Sequence, residues 1–191
     1  MAHGLFAVPY AQRAFAQAGW ITLFDGKNLD HWEAAGNANV TYAIEDGSVV
    51  ARKTDPKKTV NLVSKQFFTD FELRAEFWVS DDANSGIYIR CTKPEAVNSK
   101  SAYEVNIFDT RPDPSFGTGA IVDVAKALTV LKAGSKWNSY HIVAKGSSFT
   151  VTLNGVKTVD NAQDARFATG RIALQYGVGT VKFRKVEIKP L

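Results

Sequence analysis

The sequence predicts an all-β fold, an antiparallel β-sandwich or jelly roll, on three observations. Apolar residues recur with a period of two in many short segments, Asn-Gly and Asp-Gly dipeptides punctuate those segments, and helical periodicity is nearly absent. The alternation is plainest where Phe71, Leu73, Ala75, Phe77 and Val79 alternate with Glu72, Arg74, Glu76 and Trp78, a long half-buried strand. Shorter alternations occur at Ile87/Ile89, Tyr103/Val105/Ile107, Tyr140/Ile142/Ala144, Phe149/Val151/Leu153, Ile172/Leu174 and Val181/Phe183/Val186. The last slips register at Arg184-Lys185, which predicts a bulge. Turns are expected at Asp25-Gly26, Asp46-Gly47, Asn84-Ser85-Gly86, Lys145-Gly146 and Asn154-Gly155, because Asn, Asp and Gly tolerate positive φ. Val122–Leu131 is the candidate for a short helix, although its Val and Thr content argues against a long one.

The chain has 191 residues, 45% hydrophobic and 22% charged, with 23 Lys+Arg against 19 Asp+Glu. That composition excludes a disordered, collagenous or coiled-coil chain, and its length supports one domain with a sizeable core. No apolar run reaches the roughly 20 residues that a membrane-spanning helix needs. The net charge of +4 comes without a Lys/Arg block, which argues against nucleic acid as a partner. The single cysteine, Cys91, excludes an internal disulfide framework, and His3, His31 and His141 show no metal-ligand spacing. Residues 1–18 are Ala-rich and lack acidic residues. Ala14-Phe15-Ala16 and Ala16-Gln17-Ala18 resemble signal-peptidase sites, so this segment is read as an export-signal remnant. The alternative is a short amphipathic helix packed on the domain. Residues 19–191 form the domain itself, with no repeat or linker.

The opposite parity of the strands collects the chemistry. Strand 70–79 offers Glu72, Arg74, Glu76 and Trp78, strand 86–91 offers Tyr88 and Arg90, strand 102–108 offers Glu104 and Asn106, and the strand at 171–175 offers Gln175. Carboxylates, a guanidinium, amides and aromatics on one face suit a polyhydroxylated ligand; cross-strand ion pairs on a solvated face are the alternative. By contrast, Ser148, Thr150 and Thr152 make a bland hydroxylated face. His141 shares the outward parity of Ser139 and is expected to be inert, and Trp137 is expected to be a structural plug. Asp109 ends the Glu104 strand, where it caps a turn or reaches a substrate, and the loop Thr110–Gly119 beyond it is placed to carry specificity. Asp109, Asp113 and Asp123 are candidate oxygen ligands for a cation, in a spacing that matches no calcium loop.

Seven stretches in order resemble the 3-keto-disaccharide hydrolase domain family. They are Leu23-Phe24-Asp25-Gly26-Lys27-Asn28-Leu29-Asp30-His31-Trp32, Asp70-Phe71-Glu72-Leu73 with Glu76-Phe77, Asn84-Ser85-Gly86-Ile87 with Arg90, Tyr103-Glu104-Val105-Asn106-Ile107 with Asp109, Trp137-Asn138, Leu153-Asn154-Gly155, and Ile172-Ala173-Leu174-Gln175. The resemblance implies a concanavalin A-like jelly roll of two antiparallel sheets, a periplasmic or secreted bacterial protein, and a carbohydrate substrate of the 3-keto-glycoside class. A ketone at C3 acidifies the C2 hydrogen, so a base can start an elimination that expels the aglycone, after which water adds; direct hydrolysis is the other route. Glu104 is the expected base. Arg90, or a divalent cation, would stabilise the enolate. Glu76 or Tyr88 would protonate the leaving group, while Glu76, Tyr88, Asn106, Asp109 and Gln175 would bind substrate. A non-catalytic lectin on the same sandwich is the competing function. A laminarinase-type glycanase ranks last, because Glu104-Val105-Asn106-Ile107-Phe108-Asp109 has an amide in the middle and no terminal Glu, where such a strand requires Asp and Glu.

Overall fold

Residues 19–35 and 40–191 are described by a computed structural model. The segment 1–18, with its export reading, lies outside the described residues. The period-two segments become strands β1 (Ile21–Phe24), β2 (Trp32–Ala34), β3 (Val40–Glu45), β4 (Ser48–Lys53), β5 (Val60–Ser64), β6 (Phe71–Val79) and β7 (Ser85–Cys91). They continue as β8 (Tyr103–Ile107), β9 (Trp137–Lys145), β10 (Ser148–Leu153), β11 (Val156–Gln163), β12 (Arg171–Tyr176) and β13 (Val181–Pro190). An eight-stranded sheet runs β11-β10-β9-β6-β13-β4-β3, with β1 also paired to β13, and a five-stranded sheet runs β2-β5-β12-β7-β8. All pairings of these strands are antiparallel.

The core lies between the inner faces. Leu73, Phe77, Tyr140, Phe149 and Phe183 from the large sheet meet Leu62, Ile87, Val105, Leu174 and Tyr176 from the small one. Phe77 stacks on Tyr140 at 4.9 Å between ring centroids, and Tyr176 meets Phe183 edge-on at 5.6 Å. Burying each such side chain contributes about 1.5–3 kcal/mol. The Tyr140 hydroxyl donates to the Asn106 carbonyl at 2.6 Å and thereby pins β9 to β8 of the opposite sheet. At the N-terminal end the Trp32 indole donates to the Leu23 carbonyl at 2.7 Å, giving the buried aromatic a partner.

Several turn expectations hold. Asp46-Gly47 and Asn154-Gly155 both have positive φ and close the β3–β4 and β10–β11 hairpins. The β13 bulge falls where expected, with Lys185 at φ 48° and a register shift against β6 between Arg184 and Glu187. Three expectations are corrected. Val122–Leu131 forms no helix: Asp123 takes φ 59° in a tight turn, and Ile121 pairs with both Val105 and Ala125. Ser85 and Gly86 belong to β7 rather than to a turn. Trp137 is not a plug, since it is 37% exposed and carries the Arg184 guanidinium 3.7 Å above its ring.

Candidate active site

The outer face of the small sheet is built from transverse rows of residues in register. One row reads Asn61–Gln175–Gly86–Asn106 across β5, β12, β7 and β8; the next reads Glu33–Val63–Ala173–Tyr88–Glu104, beginning on β2. Side chains two apart on a strand share a face, so Glu104 and Tyr88 stand beside Gln175 and Asn61. Gly86 lies beneath Glu104. A Cβ there would sit 3.2 Å from Glu104 Cγ and 3.1 Å from the Val105 carbonyl, so this glycine makes room for the carboxylate.

Two segments wall the face. The β7–β8 connection brings Val97 onto a small apolar cluster of Val63, Tyr88, Cys91, Ala102 and Ala173. On the far side, residues 116–122 fold along β8: Gly119 N–H donates to the Asn106 carbonyl and Val122 N–H to the Glu104 carbonyl, both at 3.0 Å. The Asn106 amide donates to the Phe116 carbonyl at 2.7 Å, while its Oδ1 is buried without a partner. Asn106 therefore stands on the expected face but is covered by this wall.

Electrostatics single out Glu104. Burial pushes its pKa up, against a hydrogen bond from Tyr88 and the charge of Arg111, and Asp123 adds to the rise. Among the described residues it makes no ion pair. Burial, reinforced by the Glu104 charge, also pushes the Tyr88 phenol well up, so Tyr88 keeps its proton and acts as a donor. Glu104 is the cross-strand neighbour toward which that proton is drawn, and the phenol oxygen accepts from Gln175 Nε2 at 3.0 Å. A chain Gln175–Tyr88–Glu104 results.

The structure does not gather all the expected residues into one hollow. Glu76 lies on the outer face of the other sheet, where Arg184 Nε and Lys185 Nζ donate to it at 2.6 and 2.8 Å. It cannot share a substrate with Glu104, because the two sheets and their core lie between them. Arg90 departs for a different reason. A bulge gives it φ 52°, and its guanidinium, on a residue 1% exposed, turns away from Tyr88. There it donates to the carbonyls of Thr69, Gly146 and Phe167 and to the Asp70 carboxylate. Four of its five N–H donors are spent on holding loops together. Asp109 is spent likewise: Oδ1 accepts from the Thr118 hydroxyl at 2.5 Å, and Oδ2 from the backbone N–H groups of Ala133 and Gly134 at 2.8 Å. It neither caps its own turn nor faces a substrate: it ties the end of β8 to Thr118 and to the loop at Ala133-Gly134. Asp113 accepts from Ser115, so the three aspartates do not converge, and among the described residues no group of three His, Cys, Asp or Glu side chains is arranged to hold a metal.

Three participants were not singled out from the sequence: Asn61, Gly86 and Arg111. Arg111 sits in the loop marked for specificity, which was the available signal. Asn61 lies in Val60-Asn61-Leu62-Val63-Ser64, a strand buried on both faces, where alternation is too faint to give its direction.

Residues 19–189 match the family described as the 3-keto-alpha-glucoside-1,2-lyase-like domain. A 3-keto-disaccharide hydrolase of Bacteroides thetaiotaomicron is 27% identical over 156 residues, covering 68% of this chain and 54% of the relative. The chain thus spans about half the length of that curated relative. Two solved structures of candidate glycosyl hydrolases from Parabacteroides distasonis superpose with TM-scores of 0.78 and 0.74. The first, at 18% identity, covers 97% of this chain and 98% of that one; the second, at 26%, covers 91% and 100%. The carbohydrate-binding module CBM66 from Bacillus subtilis is similar at a TM-score of 0.62 and 18% identity, over 83% of this chain and 95% of the module. The first and third of these likenesses establish the fold alone, a two-sheet jelly roll.

Proposed function

We propose, for a chain that belongs to the 3-keto-alpha-glucoside-1,2-lyase-like domain family, that the outer face of its small sheet cleaves 3-keto-glycosides from the C2 proton. The observation that carries this reading is Glu104, a carboxylate free of ion pairs among the described residues, whose pKa is raised by burial and which touches a protonated phenol. A raised pKa makes a carboxylate a stronger base toward carbon acids. Glu104 takes the C2 proton, and the C–H electron pair forms the enolate of the C3 ketone. Tyr88 donates to the enolate oxygen and Arg111 supplies positive charge, which moves the stabilising role away from Arg90. The enolate then re-forms the carbonyl as the C1–O bond breaks, and the aglycone departs with a proton drawn from water. Hydration of the resulting C1–C2 double bond returns the free 3-keto sugar. This route needs only one carboxylate and so differs from ordinary two-carboxylate glycosidases.

The likeness to CBM66 supports a second reading, carbohydrate binding without turnover. The two separate in one experiment. The purified protein is incubated with a 3-keto-glucoside and with its unoxidised parent in deuterated water, and products are followed by mass spectrometry. The expected result is aglycone release from the oxidised substrate alone, with deuterium gained at C2, and a loss of at least about 10³-fold in Glu104→Gln. Binding of both sugars with no release would favour the lectin reading. An exported location belongs to the same proposal and is supported by the Ala-rich segment 1–18 with its signal-peptidase-like Ala14-Phe15-Ala16.

A further inference from the structure

Asn61 and Gln175 stand next to each other in register on neighbouring strands, 9% and 8% exposed, and each holds a buried carboxamide oxygen with no hydrogen-bond partner. A buried polar atom left unpaired is costly, so two side by side, at the opposite end of the row from the wall-covered Asn106 Oδ1, mark the place of a missing donor. The hydrogen-bond chain fixes which way Gln175 points. Tyr88 has one proton, which it turns to Glu104 or, with substrate bound, to the ketone; either way its oxygen accepts from Gln175 Nε2 at 3.0 Å, which leaves Gln175 Oε1 free. Beside them in the row, Gly86 contributes no side chain, and the Glu104 carboxylate lies over it.

From this we infer that the carboxamide oxygens of Asn61 and Gln175 form a strip of acceptors that holds the oxidised ring by hydroxyl groups on the side away from the scissile bond. The inference rests on the proposed function and deepens it. A ketone oxygen is itself only an acceptor, so it gains nothing from these two oxygens and is placed at the Tyr88 hydroxyl. With C3 at Tyr88 and C2 over Glu104, the ring extends toward Gln175 and then Asn61. The hydroxyls in that direction are those on C4 and C6. Gln175 accepts from the nearer, on C4, and Asn61 from the farther, on C6. Cross-strand neighbours about 5 Å apart span such a pair of substituents. The substrate class narrows accordingly to 3-keto-hexosides with free 4- and 6-hydroxyls, and 6-deoxy or 6-O-substituted sugars are poor substrates.

The test is a cycle of Asn61→Ala against a 3-keto-glucoside and its 6-deoxy analogue. Asn61→Ala is expected to raise KM for the full substrate about tenfold with kcat within twofold, the loss of one well-placed hydrogen bond. On the 6-deoxy analogue the wild type already carries that loss, and the substitution adds nothing. Asn61→Asp, which keeps an acceptor, should retain affinity for the full substrate. An unchanged KM in Asn61→Ala, or an equal penalty on both substrates, overturns the strip. If the wild type turns over no 3-keto-glycoside, the function itself has failed, and the strip is read from saturation-transfer NMR with the unoxidised glucoside. Binding lost in Asn61→Ala but kept in Asn61→Asp then supports it; no binding to wild type, or equal binding to all three, overturns it.

Discussion

Glu104 and Glu76 are alike in facing outward from a strand, β8 and β6, yet the two sheets treat their carboxylates in opposite ways. On the large sheet, burial works to raise the Glu76 pKa, but hydrogen bonds and charge from Lys185 and Arg184 outweigh it and hold the group below its ordinary value. Glu72 nearby behaves alike, with His141 and Lys189 overcoming burial. On the small sheet, burial acts on Glu104 with only a phenol and a more distant guanidinium against it, and the pKa rises. A carboxylate satisfied by contact cations is a poor base, whereas one held in a dry place beside a neutral donor is ready to take a proton. Alternating parity puts acids on both outer faces; the partner decides which of them can do chemistry.

The sharpest way to break this contrast is to remove the neutral donor. Tyr88→Phe keeps the ring against Val63 and Ala173 but deletes the hydroxyl proposed to meet the enolate. Turnover of a 3-keto-glucoside should fall about 10²-fold or more, mostly in kcat, as for loss of an oxyanion donor. The corresponding loss of a partner on the large sheet, Lys185→Gln, should leave kcat unchanged.

A smaller effect, visible without substrate, sharpens the same contrast through stability. The Glu104 carboxyl binds its proton more tightly in the folded chain than at its ordinary value of 4.5. Its contribution is therefore lost as pH rises from about that value through the raised folded pKa, and at neutral pH the charge is a burden. Glu104→Gln should unfold at higher denaturant than wild type at pH 7, by about 1 kcal/mol, with the gain disappearing near pH 4. The acid limb of kcat/KM should likewise lie above the ordinary glutamate value.

Much of the fold was legible because period-two alternation reports which side of a strand meets the core, and the Asp46-Gly47 and Asn154-Gly155 turns could take few other shapes. The β13 bulge was legible as a slip in that same period. Parity does not say to which sheet a strand belongs, and so Glu76 was grouped with Glu104 although β6 and β8 lie in opposite layers. Nor does it survive an unannounced bulge. Arg90 has outward parity with Tyr88, but the register shift between Ala173 and Arg171 turns its side chain to the sandwich edge. There Gly170 presses so closely on its backbone that any larger residue would collide with it. Gly86 looked like a turn residue because glycine usually marks one; its service is the space it leaves under Glu104. Val122–Leu131 reads weakly as a helix for the same underlying reason, since the segment leading into it is fixed by long-range bonds to β8 that no local pattern records.

The smallest effect tests the large sheet's side of the comparison. Glu76→Gln removes one charge from a cluster with Arg184 and Lys185 on a partly solvated face, where the Arg184 guanidinium is also held over Trp137 at 3.7 Å. Exposed pairs of this kind contribute little, so denaturant unfolding should show a loss of up to about 1 kcal/mol, shrinking in high salt as screening replaces the missing partner. Turnover of a 3-keto-glucoside should be unaltered, because nothing on this face reaches the Glu104 side of the sandwich. A drop in kcat comparable to that of Tyr88→Phe, in a variant of unchanged stability, would mean that Glu76 does take part in proton transfer. It would also mean that pairing with cations does not disqualify a carboxylate on this scaffold.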